Sequence, residues 1–122
     1  MAMKVLLVDD ADGVRRAVGD VLRRNGFEVT EAADGGAALD LVAAQGTYDV
    51  IITDIGVPEV DGISLIRKTR KDERYASTPI IVLTDKPEPS QVDESEAAGA
   101  TGLLAKPFGD AQLLAELGRV LR

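Results

Sequence analysis

Four short segments carry the residue types most able to do chemistry. Asp9 and Asp10 end the apolar run Val5-Leu6-Leu7-Val8, and Asp54 ends Val50-Ile51-Ile52-Thr53. Thr84 closes Ile80-Ile81-Val82-Leu83, and Lys106 follows Leu103-Leu104-Ala105. The chain has no histidine and no cysteine, which excludes imidazole bases, thiolate nucleophiles and nitrogen- or sulfur-ligated metals. What is left is oxygen chemistry. Three carboxylates within a few ångströms cannot all stay ionised unaided, so a proton or a cation must join them. An all-oxygen donor set selects a hard cation, and few carboxylates with open positions suit Mg²⁺ better than Ca²⁺. Three carboxylates, Mg²⁺ and Lys106 sum to a formal charge of about zero. A phosphoryl group on Asp54 would remove one carboxylate charge and add about two negatives, leaving about −1. An aspartate carboxylate is a competent nucleophile toward phosphorus, forming an aspartyl phosphate. The metal, Lys106 and the Thr84 hydroxyl would then stabilise charge on its equatorial oxygens.

Such a site needs elements that bring the four segments to one edge. Apolar runs of strand length cover Lys4–Asp9, Phe27–Ala33, Val50–Asp54, Pro79–Thr84 and Gly102–Lys106. Between them, helical spacing links Val14, Val18, Val21 and Leu22, with a stop at Asn25-Gly26. A second helix carries Ala38, Leu41 and Val42 and ends at Gly46; a third is capped by Asp61. Ser90 is expected to cap a short fourth helix that stops at Gly99, and Leu113, Leu114, Leu117, Val120 and Leu121 line the last one. Strict alternation predicts an α/β fold, a five-stranded parallel sheet doubly wound by five helices. The common small order is 2-1-3-4-5, as in flavodoxin-like folds. Ligands then bind beyond the strand ends at the switch between strands 1 and 3, where the three aspartates fall. One aspartate after a strand is an ordinary turn residue; five polar residues at a single crevice are not explained that way.

Composition narrows the classes. A length of 122 residues predicts one domain over residues 3–122, with Met1-Ala2 read as an expression scar. A net charge of −7 argues against nucleic acid and anionic membranes as partners. No apolar run approaches the ~18 residues of a membrane span, and no leader is evident, so a cytoplasmic setting is expected. Aromatics make up only 3%, which predicts an aliphatic core.

Taken in order, the segments VLLVDD, IITDIGVPEVDG, VLT and LLAKPF resemble the receiver domain of two-component response regulators, in its stand-alone CheY-like form, over Lys4 to Arg122. The resemblance implies Asp54 as phosphoacceptor, and Mg²⁺ held by Asp9, Asp10, Asp54 and the backbone carbonyl of Gly56. It implies Thr84 and Lys106 as phosphoryl-sensing residues, a histidine kinase as phosphodonor, and output to a protein target through the helix 4–strand 5–helix 5 face. A cis Lys106-Pro107 bond is expected on the same grounds and from the low cost of cis X-Pro.

Several positions depart from the family pattern. Asp85 follows Thr84 where a small residue is usual, and Leu103 stands where an aromatic switch residue is usual. Leu103 can only repack, so Asp85 and Lys86 are expected to carry more of the switching. Lys86-Pro87-Glu88-Pro89 should delay the fourth helix. Arg67, Lys68, Arg70 and Lys71 read as a solvated basic face. Three other readings compete. Asp10-Ala11-Asp12-Gly13-Val14 resembles the nucleophile motif of haloacid-dehalogenase-like phosphatases, which would make Asp10 the nucleophile of an enzyme. A phosphorylation-independent interaction module on the same scaffold draws on Asp85 and Leu103. A flavin protein shares the topology but would need a phosphate-cradling loop where Asp9 and Asp10 stand.

Overall fold

In a computed structural model that describes residues 2–44 and 46–121, the sheet predicted from the apolar runs forms in full. Met1 and Arg122, which the expected boundaries include, lie outside the described residues. The strands are β1 (Lys4–Val8), β2 (Glu28–Ala32), β3 (Val50–Asp54), β4 (Ile80–Thr84) and β5 (Gly102–Ala105). The helices are α1 (Asp12–Arg24), α2 (Gly35–Ala43), α3 (Gly62–Arg70), α4 (Pro89–Ala98) and α5 (Asp110–Val120). All strand pairs are parallel, in the order β2-β1-β3-β4-β5.

Strand alternation splits the apolar residues between two cores. Leu6, Val8, Ile51, Ile80 and Val82 face α2, α3 and α4, packing on Ala38, Val42, Ile63 and Ile66. Val5, Leu7, Val50, Ile52, Ile81 and Leu83 face α1 and α5, packing on Val18, Leu22, Leu113 and Leu117. Burial on both faces is why these strands read as unbroken apolar runs. The core is not wholly aliphatic. Tyr75 is fully buried in a short 3-10 turn, Glu73–Tyr75, that no local pattern announces.

Local differences from the sequence reading have physical causes. Asp61 caps α3 as expected, its carboxylate accepting from the Ser64 amide. Ser90 does not cap α4. Its N-cap is Glu88, whose carbonyl accepts from Val92 N, and Pro89 opens the helix. Proline suits that position because its missing N–H has no helical partner there and its φ is already set. Helix α2 stops at Ala43, short of Gly46. Its terminal carbonyls are taken by Arg74, which donates to the oxygens of Val42, Ala44 and Gly46. Arg70 leaves the solvated basic face as well. It donates through Nε and Nη2 to the Gly99 carbonyl and through Nη1 to that of Tyr75, tying the end of α3 to the end of α4.

Two glycines set how closely the site loop approaches its neighbours. A Cβ on Gly62 would collide with the backbone of Asp54 and Ile55, and one on Gly35 with the carbonyl of Val60. The β3–α3 loop is thereby clamped between the first turns of α2 and α3. Gly35 N donates to Pro58 O at 3.1 Å and Gly62 N to Ile55 O at 2.9 Å.

Candidate functional site

All five residues singled out by their strand-end positions meet at one edge of the sheet. Asp9, Asp10 and Asp54 each present a carboxylate oxygen, and these oxygens lie within 4.8 Å of one another. Lys106 crosses from the end of β5 to meet them. Its Nζ donates to Asp9 Oδ2 at 2.9 Å and to Asp54 Oδ2. The cation needed to hold the carboxylates together is thus partly built in. Three carboxylates and one ammonium still leave a formal charge of about −2, the deficit a divalent ion would remove.

Backbone amides fix the remaining oxygens. Ala11 N donates to Asp9 Oδ1 at 2.9 Å, and Gly56 N donates to Asp54 Oδ1 at 2.9 Å. Asp9 is fully buried and its backbone carbonyl accepts from Arg15 Nη1 at 2.7 Å, whereas Asp10 is exposed. Arg15 is held in turn by Glu31 and Asp12. Burial alone would push the Lys106 ammonium down. The hydrogen bonds and charges of Asp54 and Asp9 outweigh it and hold the ammonium above the ordinary lysine value.

Thr84 is buried at the end of β4. Its Oγ1 accepts from the Lys86 amide at 3.2 Å, which uses a lone pair and leaves the hydroxyl proton free to donate. Its carbonyl accepts from the Lys106 amide at 2.7 Å, so the two residues are also joined through the backbone. The Lys106-Pro107 bond is cis, as expected. Asp85 and Lys86 are exposed, and Leu103 is half-buried on the α4 side of β5.

Asp10, Asp54, Gly56, Thr84 and Lys106 line a cleft of about 270 Å³, together with Ile55, Asp85 and Gln91. A larger groove of about 730 Å³ runs between α1 and the start of α5, with Val14, Val18, Val21, Phe108 and Leu113 on its walls. It offers burial rather than chemistry. Lys106 and Asp85 line both hollows. Gln91 was not singled out in the sequence. A polar residue in the first turn of a helix carries no signal of facing an acid cleft from a neighbouring loop. The lysine bears on Asp54 and Asp9 and not on exposed Asp10.

Comparison with known proteins agrees with this geometry. The profile of the family described as response regulator receiver domain matches residues 5–118. The chemotaxis protein CheY-3 of Vibrio cholerae is 35% identical over 118 residues, covering 97% of this chain and 91% of that protein. The chemotaxis protein CheY of Pseudomonas aeruginosa is 38% identical over 114 residues, covering 93% and 91%. Among solved structures, the chemotaxis response regulator CheY4 of Vibrio cholerae superposes with a TM-score of 0.93 at 41% identity, over 99% of this chain and 100% of that one. The receiver domain of sensor histidine kinase PA1611 from Pseudomonas aeruginosa, solved with a magnesium ion coordinated in its active site cleft, gives a TM-score of 0.91 at 33% identity, over 99% and 98%. Among the described residues, no helix is long and apolar enough to cross a membrane.

Proposed function

Because the chain belongs to the response regulator receiver family, as a phosphoacceptor domain that catalyses only its own phosphorylation and dephosphorylation, we propose that Asp54 is the residue that takes the phosphoryl group. The donor is the phosphohistidine of a histidine kinase. The observation that carries this reading is Lys106 bridging Asp54 and Asp9 at the floor of an acidic cleft.

One Asp54 oxygen attacks the phosphorus as the bond to the donor breaks, and the leaving electron pair departs with the donor. The Gly56 amide and Lys106 hold the carboxylate in place for attack. The Lys106 ammonium and the Thr84 hydroxyl then meet the phosphoryl oxygens. Asp9, Asp10 and Asp54 fit a hard divalent cation, since the cluster is all oxygen and short of positive charge, and the Gly56 carbonyl is the further ligand that the family resemblance implies. Mg²⁺ bound there would neutralise the incoming dianion and polarise phosphorus. Incubation with acetyl phosphate is expected to add one phosphoryl group, located at Asp54, when Mg²⁺ is present and none when it is chelated. Intact mass and fragment mapping read this out. Phosphate on Asp10, or a mass gain indifferent to the metal, would overturn the assignment.

Output runs through the α4–β5–α5 face to a protein target. That face carries a groove of about 420 Å³ lined by Val92, Glu96, Leu103 and Arg119. Leu103 has no ring to follow the Thr84 hydroxyl inward, and a ligand shifts an equilibrium only by its differential contacts. Thr84, with exposed Asp85 and Lys86, therefore carries the change, Lys86 moving toward the new charge and Asp85 away. Backbone chemical-shift changes on forming a beryllofluoride adduct are expected to concentrate at residues 84–90. Large changes centred on Leu103 with Asp85 and Lys86 unmoved would refute this route.

A further inference from the structure

Asp9 and Asp10 are neighbours, yet they are held differently. Both oxygens of the Asp9 carboxylate have partners, the Ala11 amide and the Lys106 ammonium. Asp10 is exposed, and its carboxylate has no hydrogen-bond partner among the described residues. Its aim toward Asp9 and Asp54 is therefore set by its backbone. The peptide unit that leads into Asp10 carries the Asp9 carbonyl, and that carbonyl accepts from Arg15 Nη1 at 2.7 Å. Among the described residues, Arg15 is the one side chain from outside this turn that bonds to the backbone of Asp9, Asp10 or Ala11.

The guanidinium is itself fixed, and the Arg15 side chain is only 12% exposed. Nε donates to Glu31 Oε1 at 3.1 Å and Nη2 to Asp12 Oδ1 at 2.7 Å, so each of its three nitrogens has its own acceptor. Glu31 lies on β2 beside Leu7 of β1, and its second oxygen accepts from Arg23 Nη2 at 2.8 Å. A planar fork anchored in this way holds a carbonyl at a set angle, which a single flexible ammonium does not. Groups that orient a metal ligand without touching the metal govern affinity by roughly 10–100-fold.

We propose that Arg15 is a positioning residue for the cation site: it holds the Asp9-Asp10 peptide so that the Asp10 carboxylate meets Asp9 and Asp54, and thereby sets the affinity for Mg²⁺. The inference rests on the reading of Asp9, Asp10 and Asp54 as a divalent-cation site. The charge of Arg15 acts in the opposite sense. A cation beside an acidic corner repels a second cation, so loss of that charge alone would tighten Mg²⁺ binding. The sign of the change in affinity therefore separates positioning from plain electrostatics.

The test uses Arg15→Lys, which keeps the charge and loses the planar fork, and Arg15→Met, which loses both. Mg²⁺ is titrated without a phosphodonor. Its dissociation constant is read from the amide chemical shifts of Ala11 and Gly56, whose N–H groups bond to Asp9 and Asp54. The constant is expected to rise about tenfold in both variants. Labelling by acetyl phosphate should need correspondingly more Mg²⁺, yet at saturation it should run within about threefold of the parent rate, since Asp54 and Lys106 are unchanged. A dissociation constant within about twofold of the parent value in Arg15→Lys, or a smaller one in Arg15→Met, would overturn the proposal. So would a lowered thermal midpoint with unchanged Mg²⁺ affinity, which would leave Arg15 a role in stability alone, or a saturated labelling rate that falls as far as the affinity. If one variant does not fold, the other decides by the same limits. A parent protein whose shifts do not respond to Mg²⁺ overturns both this inference and the cation-site reading, whereas a responsive parent with unaltered variants overturns this inference alone.

Discussion

Lys106→Met is expected to cost about 2–3 kcal/mol of stability at neutral pH without divalent cations. Breaking one side of a buried ion pair leaves the other charge uncompensated, a loss of roughly 3–5 kcal/mol when burial is complete. Asp9 is that other charge, at 1% side-chain exposure, while Lys106 at 19% and Asp54 at 17% keep some solvent, which lowers the figure. Mg²⁺ should restore part of the loss, since at the proposed site it would bind the folded carboxylates and not the unfolded chain. Urea denaturation with and without the metal measures both effects. Because the folded Lys106 ammonium is held above its ordinary value, its contribution is complete below the unfolded lysine value. It is lost only as pH climbs through the higher folded one. The gap between parent and variant should therefore stay constant through the neutral range and close only in strong alkali. Labelling by acetyl phosphate should slow about 100-fold, in line with removal of one preorganised charge from a developing oxyanion. Equal stability of variant and parent in chelator would contradict the role given to this lysine.

Gly62→Ala should act on the same site through the backbone. The added methyl would meet the Asp54 carbonyl oxygen and carbon and the Ile55 Cα, none of which is the end of a flexible side chain. Helix α3 has to retreat or the β3–α3 loop has to shift. Overpacking of this kind costs about 1–3 kcal/mol. Because the displaced atoms belong to Asp54 itself, labelling should fall by about 10–100-fold as well. Gly118→Ala is the control: nothing lies within 4 Å of its added Cβ, and an alanine inside α5 should add about 0.5–1 kcal/mol. Thermal denaturation of the pair, with labelling rates, checks the argument. A Gly62→Ala protein as stable and as readily labelled as the parent would mean the close approach is not needed.

Strand identities, strand order and the five strand-end residues were readable because each rests on a local pattern. A run such as Val5–Val8 is strand-length and doubly buried, and chain connectivity places its end beside that of Val50–Thr53. The unreadable features are those in which a side chain meets distant backbone. Arg74 taking the last carbonyls of α2, Arg70 reaching Gly99, and Tyr75 filling the core under a 3-10 turn have no periodicity to betray them. The α4 cap was misplaced because Ser90 has the better capping side chain, yet Pro89 already suits the first helical position and moves the boundary back to Glu88. Gln91 was missed for a related reason: burial of its amide oxygen depends on how α4 packs in the folded chain, which local sequence does not specify.

Lys106 and Asp9 lie 97 positions apart, and Lys106 and Asp54 lie 52 apart. During synthesis the three acids therefore leave the ribosome before their lysine. At roughly 5–20 residues per second that interval lasts about 3–10 s. The emerging chain can pair β1, β2 and β3 in that time, but the acidic corner repels itself until β5 docks beside β4. Closing so long a loop is a late event in a sheet of this connectivity. A hard divalent cation held at the proposed site would supply a temporary counter-charge there and let the earlier strands settle before the last one arrives.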